Sequence, residues 1–201
     1  QASQRGDGIV VDPVATRASD FRITGNALWV VEAGNVARQR TELKLTLRST
    51  NLRPTLEALG YDPVLEGGGG KVDAELVWAG GPRGDFLEVA SGRVTVELDR
   101  GRFLAVEPGG GRMLGLLSVA ALPRRLGLDF SDVTEKGLAF DAVKGEFRVD
   151  GGNAFTCNLG LTGPVADIGM VGRVGFRARD YEQLAVTRPH VSDVVAIGSA
   201  V

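Results

Sequence analysis

Apolar residues recur at every second position along much of this chain. Leu43, Leu45 and Leu47 alternate with Glu42, Lys44, Thr46 and Arg48, which predicts a half-buried strand with one wet face. The same period returns at Val72, Ala74, Leu76 and Trp78, and again at Val94, Val96 and Leu98 between Arg93, Thr95, Glu97 and Asp99. Turn signals punctuate these runs. Gly25-Asn26, set between Phe21, Ile23 and Leu28, Val30, predicts a turn joining two short strands. The glycines at 67–70 predict a hinge or wide turn, and Arg100-Gly101 predicts a hairpin turn into a strand over 102–106.

The last third repeats one device of Gly, short strand and Gly turn. The stretch 145–149 leads through Gly151-Gly152 to Phe155, Cys157, Leu159 and Leu161; Gly163-Pro164 then leads to Ala166, Ile168 and Met170, and Gly172 to Val174, Phe176 and Ala178. These units share a form but no fixed period, so they predict an antiparallel meander and not a regular solenoid.

Two segments change period. Over 51–60, Leu52, Leu56 and Leu59 fall on one helical face, Pro54 suits a first turn and Gly60 a stop. The almost wholly apolar 113–122 follows a Gly-rich loop and stops before Pro123, predicting a second short helix that plugs or caps a sheet. The predicted fold is mainly β, with two short helices. From pattern alone, a closed two-sheet core in which the apolar faces pack on each other is the better fit to this alternation.

Composition removes several function classes. An apolar share of 43% with 24% charged residues belongs to a globular chain, and 29 glycines scattered between short apolar runs mark turns. A 6% aromatic share and a net charge of −2 supply neither the stacking platforms nor the basic field that nucleic acid needs. Cys157 and His190 are the single cysteine and histidine, which excludes an internal disulfide and any Cys- or His-rich metal site. A phosphate-binding P-loop is excluded because Val72 follows Gly70-Lys71 and Leu65 stands where the first glycine belongs. The glycines at 109–111 read as a flexible turn before an anion cradle, and Asp129, Asp132 and Asp141 as turn and strand-edge carboxylates. No catalytic residues, cofactor or metal are expected. The chain begins at Gln1 and holds no apolar run near the ~20 residues of a membrane helix, so it is read as one β-rich segment, 1–201, of a larger protein.

One run is distinctive: Gly111-Arg112-Met113-Leu114-Gly115-Leu116-Leu117-Ser118, followed by Leu122-Pro123-Arg124-Arg125-Leu126 and Leu128-Asp129-Phe130. With Leu59-Gly60-Tyr61, Gly137-Leu138-Ala139-Phe140-Asp141, Gly151-Gly152-Asn153-Ala154 and Ala178-Arg179-Asp180-Tyr181, it resembles the YhdP family of AsmA-like proteins, near their C-terminal end, over residues 51–190. The resemblance implies a meander curled into an open groove. It also implies a non-catalytic segment of a periplasmic bridge, anchored through other parts of the protein in the Gram-negative inner membrane, that moves phospholipid to the outer membrane. Phospholipid acyl chains and envelope proteins are the implied partners. The alternative is a structural or interaction module of the envelope with a closed β core.

On the groove reading, the candidate wall is Leu45, Leu47, Leu76, Trp78, Val94, Val96, Leu98, Phe147, Val149, Leu159, Leu161, Ile168, Met170, Val174 and Phe176. Such a wall makes no directional bonds, so a lipid tail is stabilised similarly at successive positions along it. Arg124 and Arg125 are candidate headgroup contacts, since guanidinium matches phosphate oxygens, although a solvated surface role suits them better.

Overall fold

Strands with one apolar and one charged face must cover the apolar one, and this chain does so within a single long sheet. The computed structural model describes residues 2–5, 8–31, 38–82, 85–104 and 137–190. Among these, ten strands form one antiparallel sheet: β1 (Ala2–Arg5), β2 (Gly8–Arg17), β3 (Phe21–Val31), β4 (Gln39–Ser49), β5 (Leu65–Ala79), β6 (Ser91–Phe103), β7 (Leu138–Asp150), β8 (Asn153–Thr162), β9 (Ala166–Gly175) and β10 (Asp180–Pro189). Their order in space is their order in sequence, and β1 does not pair with β10, so the sheet is an open meander. The expected mainly-β meander is what forms.

Register aligns the apolar positions into rows. Leu47 faces Val72 and Val72 faces Val96; Val94 faces Phe147; Leu98 faces Val143 and Val143 faces Leu161, which faces Ile168. A one-residue slip would turn each row to water, so the pattern specifies the pairing. The opposite face carries charge. Lys44 bonds Glu75 at 3.4 Å and Arg93 bonds Glu146 at 3.4 Å, each pair on adjacent strands. One face is therefore greasy over many strands, and the other is wet.

The expected first helix is α1 (Leu52–Ala58), which packs on β5. Its end is a Schellman motif: Gly60 N–H donates to Glu57 O at 3.0 Å and Tyr61 N–H to Leu56 O at 2.9 Å. At its start Thr55 Oγ1 donates to the Asn51 carbonyl at 2.7 Å and lies 2.8 Å from Ser49 Oγ, tying the helix to the end of β4. A short 3-10 turn spans Phe86–Glu88. The second expected helix, 113–122, lies outside the described residues.

Four expected turns are instead strand interior. Gly25-Asn26 lies within the unbroken β3, where a Cβ on Gly25 would stand 2.0 Å from the Lys44 carbonyl oxygen. The glycine permits close approach of β3 to β4; it does not reverse the chain. Residues 67–70 run inside β5, with Gly68 at φ +52° and its missing Cβ directed at the Asp99 carbonyl. Arg100, at φ +43°, and Gly101 continue β6 to Phe103, so no hairpin forms there; β6 pairs with β5 on one side and β7 on the other. Gly172 is likewise interior to β9, and the next strand begins only at Asp180.

The expected run Phe155, Cys157, Leu159, Leu161 changes face midway. Between its pairings with both neighbours, β8 carries one extra residue at Cys157–Asn158. Asn158 Oδ1 accepts the Glu146 N–H at 3.0 Å, a ladder group the bulge would otherwise leave unpaired. Ala154, Thr156, Leu159 and Leu161 are buried, while Phe155 sits on the opposite face under the Arg148 guanidinium, 5.0 Å from the ring centroid.

Candidate functional site

The apolar rows of β4 to β9 do not pack solid. They enclose a cavity of about 360 Å³, lined on the sheet side by residues from Leu47 on β4 to Ile168 and Met170 on β9. Neighbouring strands lie ~4.8 Å apart, so these walls span about 24 Å across the strands. The rest of the lining comes from Leu52 and Leu56 of α1, Leu59 at its C-cap, then Tyr61, Asp62 and Val64 leading into Leu65 at the start of β5, with Leu87 and Phe176 also contributing. Among the described residues the lining is almost wholly hydrocarbon, and no described lysine, arginine or histidine touches it.

Of the candidate wall, Leu47, Val94, Val96, Leu98, Phe147, Val149, Leu159, Leu161, Ile168, Met170 and Phe176 line this cavity. Leu45, Leu76, Trp78 and Val174 do not. Leu76, Trp78 and Val174 are buried on the same face, and Leu45 packs against the cluster that Leu76 and Trp78 join. That cluster is locked by Trp78, which stacks on Phe86 with centroids 4.9 Å apart and donates Nε1–H to the Gly81 carbonyl at 2.9 Å. The candidate headgroup contacts Arg124 and Arg125 lie outside the described residues.

Several lining residues had no place in the expected wall. Leu52, Leu56 and Leu59 were recognisable as one face of a helix, but only the docking of α1 turns that face toward the sheet. Phe103 was assigned to a separate strand after the supposed hairpin turn at Arg100-Gly101, and Val143 lies just before the strand expected from Gly145; Phe103 is only 1% exposed and its ring lies 5.1 Å from that of Phe140.

Polar side chains in the lining come from one stretch of chain: Ser49, Thr55, Tyr61 and Asp62. The resolved ionisation effects lie elsewhere. The Asp73 carboxyl is held below its usual range by hydrogen bonds from Lys71 and from Thr46, at 2.6 Å in the latter case. At the turn between β9 and β10, Arg173 makes a two-pronged bond to Asp180, Nη1 to Oδ1 at 2.9 Å and Nη2 to Oδ2 at 3.1 Å, which lowers the Asp180 carboxyl and raises the guanidinium. His190 meets Asp167 at 3.1 Å on the surface and Cys157 is exposed, so neither belongs to the cavity. Among the described residues no group of His, Cys, Asp and Glu could hold a metal. No described helix is long and apolar enough to cross a membrane.

What the arrangement offers chemically is a dry, directionless surface of aliphatic carbon. Comparison with known proteins gives the same surface a context. The family model described as YhdP protein matches residues 1–201, wider than the 51–190 expected from the motifs. Over 180 residues the chain is 31% identical to the intermembrane phospholipid transporter YhdP of Escherichia coli (strain K12), covering 89% of this chain and 14% of that protein. No solved structure matches the chain.

Proposed function

This chain belongs to the YhdP family, and from that premise we propose that it is one segment of a longer periplasmic conduit along which phospholipid passes from the inner to the outer membrane. The observation that carries the reading is the 360 Å³ apolar cavity running beneath six consecutive strands of an unclosed sheet. A closed sandwich would fill such a space with side chains from a second sheet. Here the space is left, and its walls match an acyl chain in chemistry.

Each tail methylene moved from water into the cavity gains about 0.8 kcal/mol. Successive Val, Leu, Ile and Met side chains present near-equal surfaces, so the gain varies little with position and a tail slides without breaking any bond. Val94, Val96, Leu98, Phe147, Leu159 and Met170 form the central wall of the path. Arg124 and Arg125 stand as candidate phosphate contacts. On this reading the segment conducts and does not react, and among the described lining residues no histidine, lysine or cysteine stands by as a base or nucleophile. Membrane anchorage belongs to other parts of the longer protein, and its envelope partners would meet this segment outside the cavity.

The packed end at Trp78 and Phe86 favours a second reading, in which the whole apolar face is a structural core for a non-catalytic envelope module. One experiment separates the two. The chain is expressed in a Gram-negative host, purified, and examined by native mass spectrometry, alongside variants Val96→Asp and Phe147→Asp. The conduit predicts co-purifying phospholipid that both substitutions remove while circular dichroism stays β-rich. A lipid-free chain that the substitutions simply unfold would establish the structural module instead.

A further inference from the structure

The cavity is apolar except at one rim, and that rim has a sign. Its four polar residues fall within 49–62. Two are already engaged: Ser49 and Thr55 hydroxyls lie 2.8 Å apart, and Thr55 donates to the Asn51 carbonyl at 2.7 Å. The other two, Tyr61 and Asp62, are consecutive, exposed and on the cavity's edge just past the end of α1.

Asp62 is the only charged side chain among the described lining residues, and it makes no ion pair among the described residues. The nearest cations in sequence are committed elsewhere. Arg53 bonds Glu57 at 3.2 Å and Glu66 at 3.6 Å, and Lys71 bonds Asp73. A lipid whose tail occupies the cavity must leave its headgroup where the lining turns polar. At this rim it meets an unpaired carboxylate and the exposed side chain of Tyr61, with no described cation in the lining.

We infer that this rim is a headgroup-selecting site that favours a phospholipid bearing a primary or quaternary ammonium over one whose headgroup is net anionic. The inference rests on the conduit reading above and adds the class of lipid. The carboxylate attracts an ammonium and repels a second negative charge, and an aromatic face stabilises a cation without needing a fixed direction of approach. The phosphate itself is common to both lipid classes and does not discriminate between them.

The test incubates the full purified chain with vesicles of equimolar phosphatidylethanolamine and phosphatidylglycerol of matched acyl chains, re-isolates it and counts both lipids on it by mass spectrometry. Wild-type protein is expected to carry the ammonium lipid in about fivefold excess at low salt, the effect of one charge pair at contact in a largely aqueous setting. Asp62→Asn should bring the ratio towards that of the vesicle, and Asp62→Lys should invert it. Lipid bound by wild-type protein in vesicle proportions, or enriched in phosphatidylglycerol, overturns the selectivity and leaves the conduit standing. Wild-type protein that takes up neither lipid overturns the conduit and the selectivity together.

Discussion

Replacing Val96 by Phe asks whether the space under the sheet is a path or a packing defect. Val96 is half-buried on the cavity wall, between Val72 of β5 and Gly145 of β7. Phe adds four carbons. At a volume per group near the ~30 Å³ of a liquid water molecule, these take up about 120 Å³, a third of the 360 Å³ available. Burying them stabilises the fold by up to about 3 kcal/mol at ~0.8 kcal/mol per carbon. For a chain of this size that raises the melting temperature by roughly 6–12 °C as an upper bound. The same four carbons displace about as many tail methylenes, so lipid affinity falls by about 3 kcal/mol, or some hundredfold. Thermal melting read beside lipid occupancy by native mass spectrometry checks both arms. In a filled core the ring would be forced into occupied space and lower stability by about 1–3 kcal/mol. A drop in melting temperature with lipid occupancy unchanged would refute the account of the cavity.

Gly25→Val should destabilise the sheet by about 2 kcal/mol or more, because its Cβ would stand 2.0 Å from the Lys44 carbonyl; a fall in the urea midpoint at constant slope would show it, and an unchanged midpoint would mean that β3 and β4 can part without cost. The Arg173–Asp180 pair makes the β9–β10 turn acid-sensitive. Because the folded Asp180 carboxyl lies below its ordinary value, its contribution is complete above the unfolded value of about 3.9 and is lost as pH falls through the lower folded value. Amide exchange at Val174 and Tyr181 should therefore be flat from neutral pH down to about pH 4, once corrected for intrinsic exchange, and quicken below it; Asp180→Asn should remove that step, and a step surviving in the variant would assign it elsewhere.

The faces of the central strands were legible because a two-residue period admits only two choices and the charges mark the wet one. Leu43, Leu45 and Leu47 against Glu42, Lys44 and Arg48 settle β4 without any knowledge of its neighbours. Strand length was not legible. Glycine reads as a turn in a local window, yet Gly25 and Gly68 answer to the carbonyls of Lys44 and Asp99, which only the folded sheet brings near. The face change at Cys157–Asn158 has the same origin: an extra residue shows only when two partners are counted across from it. Strands β1 and β2 gave no clear alternation, since Asp12-Pro13 interrupts the apolar residues of β2 at an irregularity in its pairing with β3. β10 was hidden for another reason. Leu184 and Val186, its apolar residues of highest contrast, are 64% and 67% exposed, while Ala185 packs against the core. The candidate site followed the strands' fortunes: most cavity-lining residues of β6 to β9 were among those named, Phe103, Val143 and Ala154 excepted, and the side supplied by α1 awaited its docking.

A sheet whose spatial order is its order of synthesis can also be built in that order. Each strand's partner is the one immediately before it, so its closure searches only a short loop, except across the 34 residues from Leu104 to Gly137 that separate β6 from β7. Loop closure grows costlier only with the logarithm of length, so even that step adds little. A chain emerging N-terminus first can thus lay down one rung at a time, and each completed rung offers its exposed edge as the template for the next. Such a ladder needs no distant segment to finish before each new strand is paired.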